Sequence, residues 1–265
     1  MDWHQAITRW TTWLAAGGAS PDTLRLRRLQ LRRIGADIGG HPFTTTDEEL
    51  TMWFALHQWA PETRRSHLAA VRSFYRWAVD HGHATVDPTR LLPRPHPTPA
   101  EPRPASEQAV DRALAAADDR QRLMVELAAR HGLRRGEISR IHSDDLIGDA
   151  GDVLLAVHGK GGKDRVIPLL DRTAAALRRN GPGWIFPNGK GSHLSPGHVG
   201  VLITRALPPG VTPHMLRHRF ATVVYRATLD IRNLQRLLGH ASVATTQRYA
   251  AADPAELRRV LSAAA

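Results

Sequence analysis

The chain has 265 residues, of which 42% are hydrophobic, and a formal net charge of +11 at pH 7. This length and apolar content suffice for two modest domains with packed cores, and the basic balance predicts a polyanionic partner such as nucleic acid. The absence of cysteine excludes disulfides, thiolate catalysis and cysteine-based zinc sites. No apolar run could span a membrane and no secretory signal is recognisable, so the expected location is the cytoplasm.

Residues 1–90 have the sequence pattern of a helical domain. Apolar residues recur every three or four positions, and residues typical of helix starts precede the apolar runs. Four helices are predicted to begin near Trp3, Ser20, Thr46 and Pro61. This domain is therefore expected to be mainly α.

Two stripes of arginine lie on the predicted helices of this domain. The first stripe is Arg25, Arg28 and Arg32, and the second is Arg65, Arg72 and Arg76. Spacings of three, four and seven residues place the members of each stripe on one helix face. Such a face can bind successive DNA phosphates, although a single stripe is more often an ordinary solvated surface. Two stripes in a basic protein favour DNA binding.

The stretch Leu91–Pro104 contains six prolines, which cannot continue a helix or lie within a sheet. We expect an extended linker here, joining the first domain to a second at 105–265. The second domain mixes helices with two strands, at 153–157 and 165–169, that form a hairpin. Its helices are predicted near 107–117, 121–129 and 135–140, and from residues 171, 196, 213, 230 and 253.

The turn between the two strands carries Lys160. The chain has only three lysines, Lys160, Lys163 and Lys190, and uses arginine for the rest of its positive charge. An arginine would bind phosphate at least as well, so charge alone does not explain a lysine in this turn. A lysine can release its proton, which points to acid catalysis on a nucleic-acid backbone. The alternative is an ordinary surface hairpin, for which a Gly-Lys turn is well suited.

Further motifs surround this turn in the chain. They are Gly-Leu-Arg-Arg-Gly-Glu at 132–137, His-Met-Leu-Arg at 214–217, Leu-Gly-His at 238–240 and a tyrosine at 249. Together with Lys160, in this order and at these separations, they closely resemble the tyrosine recombinases, also called the phage integrase family. The resemblance implies a helical, SAM-like core-binding domain and an α+β catalytic domain with a small antiparallel hairpin or sheet. The architecture is similar to that of Xer-type or minimal integrases.

The resemblance also implies a role for each motif residue. The catalytic residues are Arg134, Lys160, His214, Arg217, His240 and the nucleophile Tyr249, with Glu137 supporting Arg134. Strand cleavage without a metal needs a nucleophile, stabilisation of charge on phosphorus and a proton for the leaving 5′ oxygen. The arginines suit the charge, because a guanidinium matches phosphate geometry and stays protonated.

Several residue-level alternatives accompany these assignments. Arg135 competes with Arg134 for the first arginine role, and structural histidines are the alternative for His214 and His240. His214 and His218 have the spacing of a helical zinc pair, but a third ligand is not evident in the sequence. No metal and no cofactor are therefore expected. Buried tyrosine is common in protein cores, so the assignment of Tyr249 as the nucleophile depends on its neighbouring motifs.

The predicted function is site-specific DNA recombination through a 3′-phosphotyrosyl intermediate, without metal or ATP. The expected partner is a duplex DNA recombination site, and a homotetramer is expected to bind two such sites. The protein can be a monomer when it is not bound to DNA. A directionality factor or a partner recombinase can also take part. A tail helix is predicted at 253–265. The resemblance to the family implies that this helix packs on a neighbouring protomer, and the alternative is that it packs on its own domain. The alternative functions are a type IB topoisomerase and a non-catalytic DNA-binding regulator.

Overall fold

The computed structural model describes residues 1–94, 103–149, 151–159 and 162–239. The chain divides into two compact units, Met1–Pro99 and Ala100–Ala265. The central part of the predicted linker lies outside the described residues, so the bounds of the linker and of the two domains stay a prediction. Within the described ranges, no helix combines the length and the apolar character needed to cross a membrane.

The first unit is a bundle of four helices. They are α1 (Trp3–Ala16), α2 (Pro21–Ile38), α3 (Asp47–Leu56) and α4 (Pro61–Asp80). Each begins within a residue or two of its predicted start, and the Ser20 hydroxyl accepts a hydrogen bond from the backbone of the first turn of α2. Apolar side chains from all four helices, among them Trp10, Leu31, Leu50 and Phe74, form one buried core.

The second unit combines helices with a small sheet. Its helices are α5 (Glu107–Ala116), α6 (Asp119–Arg130), α7 (Arg135–Ile138), α8 (Asp171–Arg178), α9 (Pro196–Ala206), α10 (Pro213–Thr228) and α11 (Ile231–Leu238), with a 3-10 turn at Ser143–Asp145. Strands β1 (Leu146–Ile147), β2 (Leu154–Val157) and β3 (Arg165–Pro168) form an antiparallel sheet in the order β1-β2-β3. The predicted fold class is confirmed, and the hairpin gains a short third strand. The helix predicted at 253–265 lies outside the described residues.

Helix α6 lies at the centre of the second unit. It packs against α5, α8, α9 and α10, and its Met124 and Leu127 side chains are fully buried. Because α6 is held by these neighbours, the segment that leaves its carboxyl end starts from a fixed position. That segment carries the first arginine motif.

Candidate active site

The loop after α6 is shaped by a glycine. Gly132 has φ +66°, and a Cβ on it would lie 2.3 Å from Cδ1 of Phe220 on α10. Both the backbone conformation and the close approach require glycine. The chain then turns to place Arg134 immediately before α7, where its backbone N–H donates to Oε2 of Glu137 at 2.9 Å.

Glu137 is the centre of an arginine cluster. Its side chain is 3% exposed, and Oε1 accepts a hydrogen bond from Nη1 of Arg134 at 2.8 Å. Nη1 and Nη2 of Arg165 donate to its two oxygens, each at 3.0 Å, and Nη1 of Arg217 lies 3.8 Å from Oε2. Burial raises the pKa of Glu137, but the hydrogen bonds from Arg165 and the Arg134 backbone, with the charges of Arg165 and Arg217, outweigh it and lower that pKa to about 2. The carboxylate therefore stays ionised at neutral pH.

The carboxyl end of α11 also accepts hydrogen bonds from the arginines that surround Glu137. The carbonyl oxygen of Leu238 accepts from Nη1 of Arg134 at 3.3 Å and from Nη2 of Arg217 at 2.6 Å. The preceding carbonyl, of Leu237, accepts from Nε of Arg165 at 2.8 Å. These carbonyls are at the negative end of the helix, which favours the guanidinium charges.

Helix α10 contributes Arg217 and His214. Arg217 is 3% exposed, and its Nη1 also donates to the Gly132 carbonyl. His214 lies in the first turn after Pro213, with its ring centroid 4.1 Å from that of His218. Partial desolvation, followed by the charges of Arg217 and then Arg134, lowers the pKa of His214. The imidazole is therefore neutral at pH 7 and able to accept a proton.

His158 contacts residues on both sides of the β2–β3 turn. Its Nε2 lies 2.9 Å from Oδ1 of Asp145, and its Nδ1 lies 3.2 Å from Oδ2 of Asp164. The backbone N–H of Gly159 donates to the other oxygen of Asp164 at 3.1 Å. These hydrogen bonds, to Asp145 first, raise the pKa of His158. Residues on both sides of the predicted lysine position are thereby fixed to each other.

Comparison with known proteins identifies the family. The model of the phage integrase family matches residues 105–256. Tyrosine recombinase XerC of Xanthomonas campestris pv. campestris is 32% identical over 95% of this chain and 78% of its own. Tyrosine recombinase XerD of Caulobacter vibrioides is 37% identical over 72% of this chain and 70% of its own. This chain belongs to the phage integrase family. It is a tyrosine recombinase, and the predicted function, site-specific DNA recombination by the tyrosine recombinase mechanism, is confirmed.

Solved structures of other recombinases share the fold. A lambda integrase dimer bound to a COC′ core site matches with a TM-score of 0.74 and 21% identity, over 92% of this chain and 97% of that one. XerH site-specific recombinase bound to difH matches with a TM-score of 0.68 and 19% identity, over 92% of this chain and 80% of that one. At these identities the comparison concerns the fold alone.

Within this recombinase, three of the predicted site residues meet in one cluster. Arg134 and Arg217 both contact Glu137, at 2.8 and 3.8 Å. The same two arginines also donate to the Leu238 carbonyl. Arg135, the competing residue, packs along α9 instead, with its Cδ 3.5 Å from where a Cβ on Gly200 would lie. Lys160, His240 and Tyr249 lie outside the described residues, so their roles stay predictions.

The arginine stripes of the first unit are only partly open to solvent. Arg25, Arg28, Arg32 and Arg76 are exposed, whereas Arg65 and Arg72 are partly buried. Three of the six make contacts within the unit: Nε of Arg28 donates to Thr11, Arg65 pairs with Glu62 and Arg72 donates to the Leu92 carbonyl. Arg25, Arg32 and Arg76 can therefore bind an external phosphate without giving up a contact of this kind.

The sequence prediction missed Arg165. Its side chain is 9% exposed, and it forms the bidentate pair with Glu137. One signal was present in the sequence: side chains two apart in a strand share a face, and Ile167 is an apolar core residue, 2% exposed. A charged residue on that inward face requires a buried partner of opposite charge.

The ionised state of Glu137 predicts a dependence of stability on pH. Since its pKa is depressed from near 4.5 to about 2, its contribution to the free energy of unfolding is complete above pH 4.5 and is lost as pH falls toward 2, on the order of 3 kcal/mol. We expect Glu137→Gln to destabilise the protein at pH 7 and the difference from wild type to shrink toward pH 2.5. Urea unfolding of both proteins across this range measures it. A difference that is constant with pH would contradict the ionised, buried pair.

Proposed function

We propose that the Arg134–Glu137–Arg217 cluster binds the scissile phosphate of a duplex DNA recombination site. The observation that carries this proposal is the Leu238 carbonyl, which accepts from both Arg134 and Arg217 and so brings two guanidinium groups to one point. A single phosphate needs two such donors on its nonbridging oxygens, and guanidinium provides the matching geometry and a permanent charge. The Arg134 side chain is 43% exposed, so a ligand from solvent can reach it.

The proposed reaction follows the roles predicted for the motif residues. The hydroxyl oxygen of Tyr249 attacks phosphorus, and the bond from phosphorus to the 5′ oxygen breaks, which leaves a 3′-phosphotyrosyl link. His214 accepts the tyrosyl proton, a role supported by its lowered pKa. Lys160 gives its proton to the leaving 5′ oxygen, and His240 donates a hydrogen bond to the phosphate. The stored link lets a 5′ hydroxyl reseal the strand without ATP, and no metal takes part.

The first unit supplies the rest of the DNA contact in this proposal. Arg25, Arg28, Arg32 and Arg76 are exposed and can each neutralise a DNA phosphate. Arg28 can do so through its Nη atoms, because it donates to Thr11 through Nε. Arg65 and Arg72 are partly buried, and each already uses Nη2 on a partner within the unit. We therefore assign the larger share of the affinity to the four exposed arginines.

We also propose that strand exchange takes place in a homotetramer on two DNA sites. A lambda integrase tetramer bound to a Holliday junction shares the fold, with a TM-score of 0.75 and 20% identity over 94% of this chain and 77% of that one. The predicted tail at 253–265 would join the protomers through its apolar stripe, since so short a helix needs a packing partner.

A nicked suicide duplex tests the proposed function. We expect this protein to form a covalent adduct with the cleaved strand, with an unchanged rate in EDTA, and to join strands from two duplexes. Binding without an adduct would leave only the DNA-binding regulator. An adduct that reseals without ever joining two duplexes would leave a type IB topoisomerase.

A further inference from the structure

The cluster contains a residue to which the proposed function assigns no role. Arg165 is the first residue of β3, and its guanidinium uses both Nη atoms on Glu137 and its Nε on the Leu237 carbonyl. These partners are 28 and 72 positions away in the chain. We propose that Arg165 is a positioning residue, which sets Arg134 and Arg217 on the DNA phosphate without touching it. This inference rests on the proposed function.

Arg165 limits how closely the other arginines can approach Glu137. Arg165 donates to both of its oxygens at 3.0 Å. Arg217 stays 3.8 Å away, beyond hydrogen-bonding distance. A carboxylate that is 3% exposed and loses one donor must find another, because an unpaired buried charge is strongly unfavourable. Without Arg165, Glu137 would draw Arg217 onto itself and away from a phosphate, because Arg134 already donates to its Oε1 at 2.8 Å.

Arg165 also contacts the end of α11. The Leu237 carbonyl that Arg165 holds is adjacent to the Leu238 carbonyl that holds Arg134 and Arg217. Gly239 follows in the left-handed conformation, φ +61°, and a Cβ there would lie 2.9 Å from Nη1 of Arg165. Arg165 therefore packs directly against the segment that ends α11. It thereby holds in place the Leu238 carbonyl, which accepts hydrogen bonds from both phosphate-binding arginines.

The position of Arg165 at the start of β3 links the hairpin to the cluster. It opens the strand that follows the predicted lysine turn, and the β2–β3 pairing begins with it, opposite Val157. One side chain thus joins the strand to the arginine cluster and to α11. A lysine at 165 would keep the charge but could not make the bidentate contact and the Nε contact together.

The test compares Arg165→Lys with wild type in single-turnover cleavage of two suicide duplexes. One duplex has the native scissile phosphate, and the other has a neutral methylphosphonate, which needs less charge stabilisation from two arginines. On phosphate we expect cleavage to slow by about 10- to 100-fold, the scale of a small misplacement of binding groups. On methylphosphonate we expect a clearly smaller loss relative to wild type. Duplex affinity, measured by anisotropy, should change little.

Controls separate positioning from general damage. Arg172→Lys alters another arginine–glutamate pair of the same unit, in which Nε of Arg172 lies 3.6 Å from Glu126, and should cleave both duplexes as wild type does. If Arg165→Lys unfolds, the double variant Arg165→Gln with Glu137→Gln, which removes both charges of the bidentate pair, is compared with Glu137→Gln alone, so that the difference reports the loss of Arg165. Wild-type rates, or equal losses on the two duplexes, would overturn the positioning role. A wild-type protein that forms no adduct at all would instead refute the proposed function.

Discussion

Tyr249→Phe is expected to abolish the covalent protein–DNA adduct while leaving duplex binding nearly intact. The substitution removes a single hydroxyl oxygen, which contributes the nucleophile and very little contact surface. Denaturing gels of a labelled suicide duplex measure the adduct, and anisotropy with the same duplex measures affinity. A variant that still forms adducts would remove Tyr249 from the mechanism.

The other two tyrosines of the chain serve as comparisons with Tyr249. Tyr225→Phe changes a partly buried tyrosine of α10 and should leave adduct formation unchanged. Tyr75 is 1% exposed, its hydroxyl donates to the Pro42 carbonyl at 2.8 Å, and burial raises the pKa of that hydroxyl. It is therefore poorly suited to attack a phosphate. Loss of adduct in Tyr225→Phe as well would show that the assay reports the fold of the catalytic unit rather than the nucleophile.

Lys160→Ala is expected to slow cleavage by about 10²- to 10⁴-fold, the usual contribution of general acid catalysis. A duplex with sulfur in place of the bridging 5′ oxygen has a leaving group that needs no proton, so it should restore most of the rate. Single-turnover rates on the two duplexes give the comparison. Lys160→Arg should fail on the native duplex much as alanine does, because a guanidinium does not release its proton.

Two further variants test whether this rescue is specific. Lys163→Ala removes the other lysine of the same turn and is expected to cleave both duplexes at nearly the wild-type rate. Arg217→Ala removes charge stabilisation rather than a proton, so sulfur should not rescue it. If sulfur rescued Arg217→Ala and left Lys160→Ala slow, the proton-donor role would belong to another group.

The features that sequence predicted well are local ones. The Thr46–Glu49 capping box and the prolines at 61 and 213 fix where α3, α4 and α10 begin, because each acts within one turn of its own helix. The motif residues Arg134, Glu137 and Arg217 were likewise found, through their separations along the chain. The convergence of the two arginines on the Leu238 carbonyl was not predicted, since it depends on how α11 packs.

The features that sequence missed depend on contacts between distant segments. Arg165 and Glu137 lie 28 positions apart, and neither residue type indicates a buried pair by itself. Strand β1 has only two residues, too few for an alternating pattern, and it exists because Leu146 and Ile147 pair with β2. Lys160, His240 and Tyr249 remain predictions from the motifs.

The end of α11 has a consequence for the energetics of DNA binding. Positive groups packed closely together repel one another, and a site that had to gather them around each incoming phosphate would spend binding free energy on doing so. Here the Leu238 carbonyl accepts from both Arg134 and Arg217, and the Leu237 carbonyl accepts from Arg165, so the guanidinium groups are gathered before any substrate arrives. The reorganisation on binding is small, which is the condition for strong electrostatic stabilisation of a transition state. The terminus of α11 thus offsets part of the repulsion among the guanidinium groups before DNA binds.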